Sequence, residues 1–333
     1  MDTVLVKAPE SGPTTAAKRL EVQVRSIKRL AEDILGFELV AAQGGALPSF
    51  TAGAHIDVQL PGGLTRQYSL YNDPSETHRY CIAVLREVSS RGGSIAMHEQ
   101  VKVGARLEIS PPRNHFPLAE AASRHVFLAG GIGITPILAM LRAVQARRQP
   151  FHLYYCTRSP ERTAFLDELG LPVEEGHVTI HQDGGDPRRA LDLPQVLREH
   201  VPGTHLYACG PGGFLDAVQR AAAHWPAASR HSERFSAPAP VAAAEPETAF
   251  EICLASSGRR FTVQPGETVV DVLQDNGIDV DVSCREGYCG TCMTRYLQGQ
   301  PIHRDSVLDD EDREEFVMIC CCRAQGAPLV LDL

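Results

Sequence analysis

Short strand-like runs of apolar and polar residues fill the chain from Leu20 to about Ser110. Clusters of turn-forming residues, such as Gly44-Gly45 and Asn72-Asp73-Pro74, separate these runs. Short runs divided by Gly, Pro, Asn and Asp are typical of antiparallel strands. The pattern therefore predicts a six-stranded antiparallel β-barrel, interrupted by one helix over about Ser94–Lys102. The predicted strands are Leu20–Ile27, Ile34–Val40, His55–Leu60, Arg66–Tyr71, Arg79–Leu85 and Arg106–Ile109.

From about His125 onward, strand-like and helix-like runs alternate. This alternation predicts a parallel sheet covered by helices, the architecture of nucleotide-binding α/β domains. The predicted strands are His125–Ala129, His152–Cys156, His177–His181 and His205–Cys209. The predicted helices that follow them in turn are Pro136–Arg147, Glu161–Leu169, Leu193–His200 and Gly213–His224.

A segment rich in Pro and Ala, SAPAPVAAAEPE, occupies positions 236–247 and predicts an extended linker. Two strand-like runs, Phe250–Ala255 and Arg260–Val263, follow it, and then a short helix over Thr268–Asn276 that stops at Gly277. The chain is therefore predicted to be multidomain. The predicted divisions are a disordered tail over 1–18, a barrel over 19–118, an α/β domain over 119–236, a linker over 237–247 and a small third domain over 248–333.

Composition and charge narrow the class of protein. The chain has 333 residues, enough for two or three domains, and its net charge of -9 argues against nucleic acid as a partner because phosphate binding needs a basic surface. The start, Met1-Asp2, lacks a secretory pattern, and the longest apolar run, Val126 to Leu141, falls short of the roughly 20 residues of a membrane helix. We therefore expect a cytoplasmic protein, in which clustered cysteines indicate metal binding or redox chemistry.

Three cysteines, Cys284, Cys289 and Cys292, lie in the segment SCREGYCGTC with the spacing C-x4-C-x2-C. This is the spacing of plant-type 2Fe–2S ferredoxins, whose fourth cysteine lies further along the chain. Thiolates suit iron because they are soft donors. The candidates for the fourth ligand are Cys320, Cys321 and Cys322. Neighbouring side chains of an extended segment face opposite ways, so Cys321 points away if Cys320 binds, and Cys322 could replace Cys320. The residues alone do not choose among the three. The alternative, a set of reduced structural thiols, is disfavoured by this spacing.

Two stretches of the predicted barrel have the chemistry of a flavin site. In R-Q-Y-S, over Arg66–Ser69, the arginine can bind a phosphate, the tyrosine can lie against a flat ring and the serine can form a hydrogen bond with a ring nitrogen. In R-G-G-S, over Arg91–Ser94, the serine is a suitable N-cap and the glycines leave backbone N–H groups for an anion. Taken alone, the stretches also fit an ordinary half-buried strand and a plain capped helix.

Two further stretches end predicted parallel strands. The sequence G-G-I-G-I-T-P over Gly130–Pro136 joins a strand to a helix, where glycines permit close approach to a pyrophosphate and Pro136 fits the first helical position. Cys209-Gly210-Pro211 ends the fourth strand at the same edge of the sheet. Arg158 follows the second strand, where an arginine can accept the 2′-phosphate of NADPH. The G-x-G-x-x-G fingerprint is absent, so these stretches also fit a tight strand–helix turn.

Together these motifs resemble the phthalate dioxygenase reductase family of the ferredoxin-reductase superfamily, over the whole chain after about residue 18. The resemblance implies an FMN-binding barrel, an NADH-binding α/β domain and an α+β ferredoxin domain of the β-grasp type. The FMN residues it implies are Arg66, Tyr68, Ser69, Arg91, Gly92, Gly93, Ser94 and Phe235. The NADH residues it implies are Gly130, Gly131, Gly133, Thr135, Pro136, Arg158, Cys209, Gly210 and Pro211. The 2Fe–2S ligands it implies are Cys284, Cys289, Cys292 and Cys320.

The choice of Cys320 follows from the resemblance, because the last cysteine of the family stands in a C-x-x-R-A ending, which here is formed with Arg323-Ala324. The family usually has Ser at the position of Cys322, so the chain departs from it there. No catalytic residue is assigned, since the cofactors carry the chemistry. Ser69, Cys209 and Phe235 are expected near the flavin and the nicotinamide.

The resemblance also implies the function. NADH gives two electrons as hydride, an iron–sulfur cluster accepts one at a time, and a flavin can do both, so the flavin belongs between them. The chain is thus expected to be an NADH-dependent oxidoreductase, a monomer that passes electrons to a Rieske-type terminal oxygenase. That oxygenase would hydroxylate or demethylate an aromatic or similar small molecule. The alternatives are a reductase for a cytochrome P450 or another acceptor, and a non-enzymatic iron–sulfur redox sensor.

Overall fold

The computed structural model describes residues 19–87, 92–235, 247–308 and 310–333. The predicted tail over 1–18 and the predicted linker up to position 246 lie outside these ranges. The described residues form three sheets that follow one another along the chain. Within these ranges no helix has both the length and the apolar character needed to cross a lipid bilayer.

The first sheet has six antiparallel strands in the order β4-β3-β6-β1-β2-β5. The elements are β1 (Leu20–Ala31), β2 (Ile34–Ala41), β3 (His55–Gln59), β4 (Thr65–Ser69), β5 (Tyr80–Leu85), α1 (Gly93–Glu99) and β6 (Arg106–Ile109). Alternation determines which face is buried: Val22 and Val24 are in the core, whereas Gln23 between them is exposed. The edge strands β4 and β5 are joined by an isolated bridge between Leu70 and Ile82. The six predicted antiparallel strands are present, and the ladder between these two edges is limited to that bridge in the described residues.

The second sheet is parallel, in the order β11-β10-β7-β8-β9. Its elements are β7 (Arg124–Gly130), α2 (Ile134–Ala146), β8 (Phe151–Thr157), α3 (Leu166–Glu174), β9 (Val178–Gln182), α4 (Leu193–Val196), β10 (Thr204–Cys209), α5 (Gly212–Ala221) and β11 (Arg230–Glu233). Its core continues into the first sheet, because Ala31, Ile34 and Ala83 belong to the same buried cluster as Phe127 and Ile137.

The third sheet is mixed, in the order β13-β12-β16-β14-β15, with only β12 and β16 parallel among its pairs. Its elements are β12 (Phe250–Leu254), β13 (Arg260–Val263), α6 (Val269–Asp275), β14 (Met293–Ile302), β15 (Phe316–Met318) and β16 (Arg323–Leu331). A capping box begins α6. The Thr268 hydroxyl accepts a hydrogen bond from the backbone N–H of Asp271, and the Asp271 carboxylate accepts one from the backbone N–H of Thr268. This sheet has a hydrophobic core of its own.

Helix starts differ from the prediction at two positions. The N-cap of α1 is Gly92, in the left-handed region with φ of 91°, so the expectation that Ser94 caps this helix is wrong. The Ser94 hydroxyl instead accepts a hydrogen bond of 3.1 Å from the backbone N–H of Glu87. Helix α2 begins at Ile134, so Pro136 is its third residue and not its first.

The predicted helix over Glu161–Leu169 is also wrong in its bounds. The chain forms a short 3-10 turn over Pro160–Arg162, and Phe165, with φ of 63°, interrupts the path before α3 begins. A left-handed φ in a bulky residue ends a helical turn because its Cβ crowds the backbone. The predicted helix from Leu193 is likewise shorter, ending at Val196.

Candidate functional site

A cavity of about 150 Å³ lies where the three sheets meet. Gln67 and Ser69 of β4 line it from the first sheet, and Glu233 and Phe235 line it from the end of β11. Cys289 of the cysteine-rich loop lines it from the third sheet. The structure thus brings together three residues singled out from three separate motifs of the sequence, namely Ser69, Phe235 and Cys289.

Strand β4 presents two different faces. Because side chains alternate along a strand, Gln67 and Ser69 share the face towards the cavity, while Arg66 and Tyr68 share the other. Tyr68 packs against the core of the first sheet. Burial raises the pKa of Tyr68 above its ordinary value, so the phenol stays neutral.

The arginine of R-Q-Y-S lies against the glycine turn before α1. A Cβ atom built on Gly93 would lie 2.6 Å from Cγ and Nε of Arg66, so a side chain there would displace the arginine from this position. Gly92 holds the turn in its left-handed conformation, and Arg91 lies outside the described residues. A guanidinium in contact with a glycine turn at the start of a helix suits a phosphate group.

The two predicted nucleotide loops contact each other backbone to backbone. A Cβ on Gly133 would lie 2.2 Å from the carbonyl oxygen of Cys209, and a Cβ on Gly210 would lie 3.0 Å from the Cα of Gly130. A Cβ on Gly130 would meet Pro211 Cδ at 2.9 Å. Such contacts exclude any side chain larger than hydrogen, which is what close approach of a backbone to a pyrophosphate also requires.

The other predicted nucleotide residues surround this contact. Gly131 takes a left-handed φ of 55°, and the Thr135 hydroxyl donates a hydrogen bond of 3.0 Å to the carbonyl of Ile132, which closes the turn. Pro136 is buried within α2. Arg158 is exposed after β8, and its backbone carbonyl accepts a hydrogen bond of 2.9 Å from Gly184.

Cys209 and Glu233 are neighbours at the carboxyl ends of β10 and β11. Cys209 is fully buried; burial, and then the nearby Glu233 carboxyl, raise the pKa of its thiol. Glu233 Oε2 is also buried and has no hydrogen-bond partner among the described residues. Burial raises the pKa of Glu233 to about 8. A largely neutral carboxyl at the cavity can pair with a ring carbonyl or ring nitrogen, so this edge of the cavity fits a flavin.

The four thiols implied as ligands lie together, and the thiol of Cys321 also interacts with that of Cys320. The side chain of Cys284 interacts directly with those of Cys289 and Cys320, and Cys292 interacts with Cys320. The Cys284 thiol lowers the pKa of Cys289 to about 6. Cys322 belongs to the hydrophobic core of the third sheet, where burial raises the pKa of its thiol to about 12.

Backbone N–H groups point at these sulfurs. The N–H of Glu286 donates to Cys284 Sγ at 3.3 Å, and the backbone of Gly287 donates to Cys320. Within the described ranges, no three His, Cys, Asp or Glu side chains are placed to hold a single metal ion. The fit to a two-iron cluster therefore rests on the four gathered thiols and on N–H donors that stabilise negative sulfur.

Comparison with known proteins identifies the family. Residues 253–325 match the 2Fe-2S iron-sulfur cluster binding domain, and residues 105–230 match the N-terminal domain of dimethylamine monooxygenase subunit DmmA-like proteins. A vanillate O-demethylase oxidoreductase from a Pseudomonas species is 46% identical over 319 residues, covering 94% of this chain and 100% of the relative. The solved structure of phthalate dioxygenase reductase is 42% identical with a TM-score of 0.72, covering 95% of this chain and 98% of that one. The chain belongs to the phthalate dioxygenase reductase family.

The resemblance predicted from the motifs is thereby confirmed. A second solved structure, an intact type IV self-sufficient cytochrome P450 monooxygenase, is 38% identical with a TM-score of 0.85. The similarity covers 97% of this reductase-family chain but 43% of the P450 chain.

Some polar residues at the cavity of this reductase-family chain were missed by sequence analysis. Gln67, His55 and His115 all line it. A signal for Gln67 existed, because strand alternation places it on the same face as Ser69. His55 and His115 are two of thirteen histidines and stand in no recognisable motif, so only the fold distinguishes them.

Proposed function

We propose that this chain is the reductase component of an oxygenase system, oxidising NADH and passing electrons through FMN and a 2Fe–2S cluster to a Rieske-type oxygenase that acts on an aromatic or similar small molecule. The observation that carries the proposal is the single cavity shared by Ser69, Phe235 and Cys289. The shared cavity would bring the proposed flavin strand, the edge of the proposed nucleotide sheet and the proposed cluster loop close together, as the conversion of a hydride into single electrons requires.

In this proposal the first sheet holds FMN. Arg66, with the turn at Gly92 and Gly93, would bind the phosphate, and Ser69 and Phe235 would contact the ring. Bound FMN supplies the ability to accept a hydride and to release electrons singly. The protein contributes position and exclusion of water, since the ring site is enclosed by all three sheets.

The second sheet would hold NADH. Gly130, Gly131 and Gly133 would receive the pyrophosphate at the start of α2, and Cys209-Gly210-Pro211 would lie beside the nicotinamide. Thr135, Pro136 and Arg158 complete the proposed nucleotide site. Glu233 would hold its proton next to the reacting rings, because its raised pKa of about 8 keeps it largely neutral at physiological pH.

The third sheet would hold the cluster through Cys284, Cys289, Cys292 and Cys320. Cys289 lines the cavity, so the electron path from the flavin ring to the cluster would be short. Domains over 19–118, 119–236 and 248–333, with a linker over 237–247, would then follow the order of the proposed binding sites along the chain.

The proposal is tested with purified, fully loaded protein. We expect one FMN and one two-iron cluster with acid-labile sulfide per chain, and bleaching of both chromophores when NADH is added without air. Added Rieske oxygenase should then form product at the expense of NADH, with NADPH as the matched control. Absence of bleaching by NADH would refute the function. Steady NADH consumption with an acceptor would exclude the redox sensor.

A cytochrome P450 is a second candidate acceptor. It is favoured by the 38% identity of this chain to part of a self-sufficient P450 monooxygenase. The two acceptors are separated by supplying the same reductase, at equal concentration, to a purified Rieske oxygenase and to a purified P450. If NADH oxidation is coupled to product formation with the P450 and not with the Rieske oxygenase, the P450 becomes the proposed acceptor.

A further inference from the structure

An amide of the proposed flavin strand reaches directly into the cluster loop. Gln67 lies on β4 between Arg66 and Tyr68, and its Nε2 donates a hydrogen bond of 3.2 Å to Thr291 Oγ1, 224 positions away. The same Nε2 lies 3.2 Å from His55 Nε2. An amide nitrogen only donates, so the histidine nitrogen is the acceptor and is unprotonated. Burial lowers the pKa of His55 to about 4, in keeping with that neutral ring.

Thr291, which accepts the hydrogen bond from Gln67, also contacts a cysteine sulfur. Its Oγ1 lies 3.4 Å from Cys289 Sγ, one of the four gathered thiols. Since Oγ1 accepts the hydrogen of Gln67, the threonine hydrogen is available to a cysteine thiolate. One hydroxyl therefore links the amide on β4 to a proposed cluster ligand.

The start of the cysteine loop is held by a buried carboxylate. Asp57 of β3 is 7% exposed, and its Oδ1 accepts a hydrogen bond of 2.8 Å from the hydroxyl of Ser283, the residue before Cys284. Arg113 forms an ion pair with the other carboxylate oxygen. A buried charge that is both paired and hydrogen-bonded fixes geometry, because breaking any partner leaves an uncompensated group.

The middle of the loop lies close to the segment that follows β6, at a glycine. Gly290 takes a left-handed φ of 76°, and a Cβ there would lie 3.2 Å from the ring of His115. The loop thus passes close to the imidazole, and a side chain at this position would press against the His115 ring.

We propose that these three contacts form an interdomain seat, made of Asp57–Ser283, Gln67–Thr291 and His115–Gly290, which holds the cluster loop at a fixed distance from the flavin. Gln67 and Thr291 are its positioning residues. The inference rests on the proposed function. With FMN and the cluster bound, the step that these residues would influence is the transfer of one electron from flavin to cluster, in which no covalent bond forms or breaks.

The overall activity consists of two steps, hydride transfer and electron transfer, and the interdomain seat should affect only the second. Hydride transfer uses the second sheet and the flavin, away from Thr291, whereas electron transfer depends on the placement of the loop. The rate of electron transfer between two cofactors falls as the distance between them grows, so displacement of the cluster loop would slow this step. Loss of the Gln67–Thr291 contact should therefore slow electron transfer and spare hydride transfer.

The test uses the loaded full chain with Thr291→Val, which keeps the shape of the side chain and removes the hydroxyl. In anaerobic stopped-flow with NADH, flavin reduction should stay within about twofold of wild type, because the groups that exchange hydride keep their orientation. The later flavin-to-cluster step should slow by a clearly larger factor than that. Thr291→Ser keeps the hydroxyl and should restore the wild-type rate. Thr294→Val is the matched control, because the Thr294 hydroxyl donates to Cys292 O within the third sheet's own domain.

A readout independent of turnover accompanies the kinetics. Hydrogen–deuterium exchange of the peptide over 283–292 should increase in Thr291→Val and in Asp57→Asn, but not in Thr294→Val. Unchanged electron transfer, unchanged exchange, or equal slowing of both kinetic steps would each overturn the seat. If wild-type protein binds no cluster or is not reduced by NADH, the proposed function fails instead, so the two failures are distinguishable.

Discussion

At the scale of one residue, Glu233 shows how burial changes the protonation of a carboxyl group. Its carboxyl lies opposite Cys209 at the sheet edge, and burial raises its pKa from the ordinary 4.5 to about 8. Between these values the folded chain keeps a proton that the unfolded chain has lost. The stability that this proton provides is therefore complete below pH about 4.5 and is lost as pH rises to about 8.

Glu233→Gln should remove this pH dependence. The free energy of unfolding of wild type, relative to the variant, is expected to fall with rising pH by at most about 1.4 kcal/mol per pH unit. Urea unfolding of the cofactor-free chain at several pH values measures it, with the exposed Glu120→Gln as a control for the substitution itself. A wild-type-minus-variant difference that stays flat would contradict a protonated, buried Glu233.

Two cysteines near the end of the chain should behave differently. Both are buried in the core of the third sheet, but the Cys320 side chain interacts with those of Cys284 and Cys292, whereas burial is the main influence on the Cys322 thiol. We expect Cys320→Ser to lose the cluster. Cys322→Ser should keep the cluster and lose about 1–3 kcal/mol of stability, because a hydroxyl replaces a buried thiol. Iron content, acid-labile sulfide and the visible spectrum show which variant keeps the cluster. If Cys322→Ser loses the cluster and Cys320→Ser keeps it, Cys322 is the fourth ligand instead.

At the scale of elements, the predicted strands of the first two sheets were confirmed where short runs are bounded by turn residues. Strands β14 and β16 were not predicted, because Gly299, Pro301, Gly326 and Pro328 interrupt their apolar pattern. Their pairing is set by long-range contacts such as Tyr296 opposite Leu331, with bulges that local sequence does not reveal. Strand β11 was not predicted either, because it is short and polar; it lies at the edge of the sheet and pairs with β10.

In the candidate site, too, local patterns could be predicted from the sequence and long-range contacts could not. The cysteine spacing and the glycine-rich loops could be predicted because each is a local pattern with a local chemical reason. The contacts of Gln67 with Thr291 and of Asp57 with Ser283 could not, since their partners lie 224 and 226 positions apart. Ser94 was misassigned as a cap because glycine at position 92 adopts the left-handed conformation and starts the helix itself.

The contact between α2 and β10 yields a prediction at this scale. Gly133→Ala would place its Cβ 2.2 Å from the Cys209 carbonyl oxygen, a backbone atom that cannot move alone. We expect a loss of about 1–3 kcal/mol of stability and weaker NADH binding, because the helix start must move away from the strand end. Denaturant unfolding and NADH titration measure both effects.

Gly213→Ala is the matched control for this substitution. Gly213 lies in α5, and a Cβ there would meet nothing within 4 Å. Alanine in this helix should be neutral or stabilising by about 0.5–1 kcal/mol. Equal effects of the two substitutions would show that steric contact at Gly133 is not the cause.

At the scale of the molecule, the three sheets are joined unequally. The first and second each have a buried cluster of their own and also share a hydrophobic core. Arg162 after β8 pairs with Glu32 and Asp33, in the turn between β1 and β2, at 3.0 and 3.1 Å. The third sheet has a separate core, and the contacts that join it to the first include the hydrogen bonds of Asp57 and Gln67. Hydrophobic burial is the dominant stabilising term, so the first two sheets should fold as one unit and the third as another.

A fragment that ends at Phe235 should therefore fold without the third sheet. It contains every residue of the shared core, and the surface it would expose at β3 and β4 is polar, with Asp57 and Gln67 able to bind water instead. We expect it to bind FMN and to reduce ferricyanide with NADH at rates within about threefold of the full chain, while losing electron delivery to the oxygenase. Full-length protein with Cys284→Ala, lacking the cluster but keeping the domain, separates loss of the cofactor from loss of the fold. A fragment that is unfolded by circular dichroism would show that the third sheet supports the core of the other two, contrary to the separation of their buried clusters.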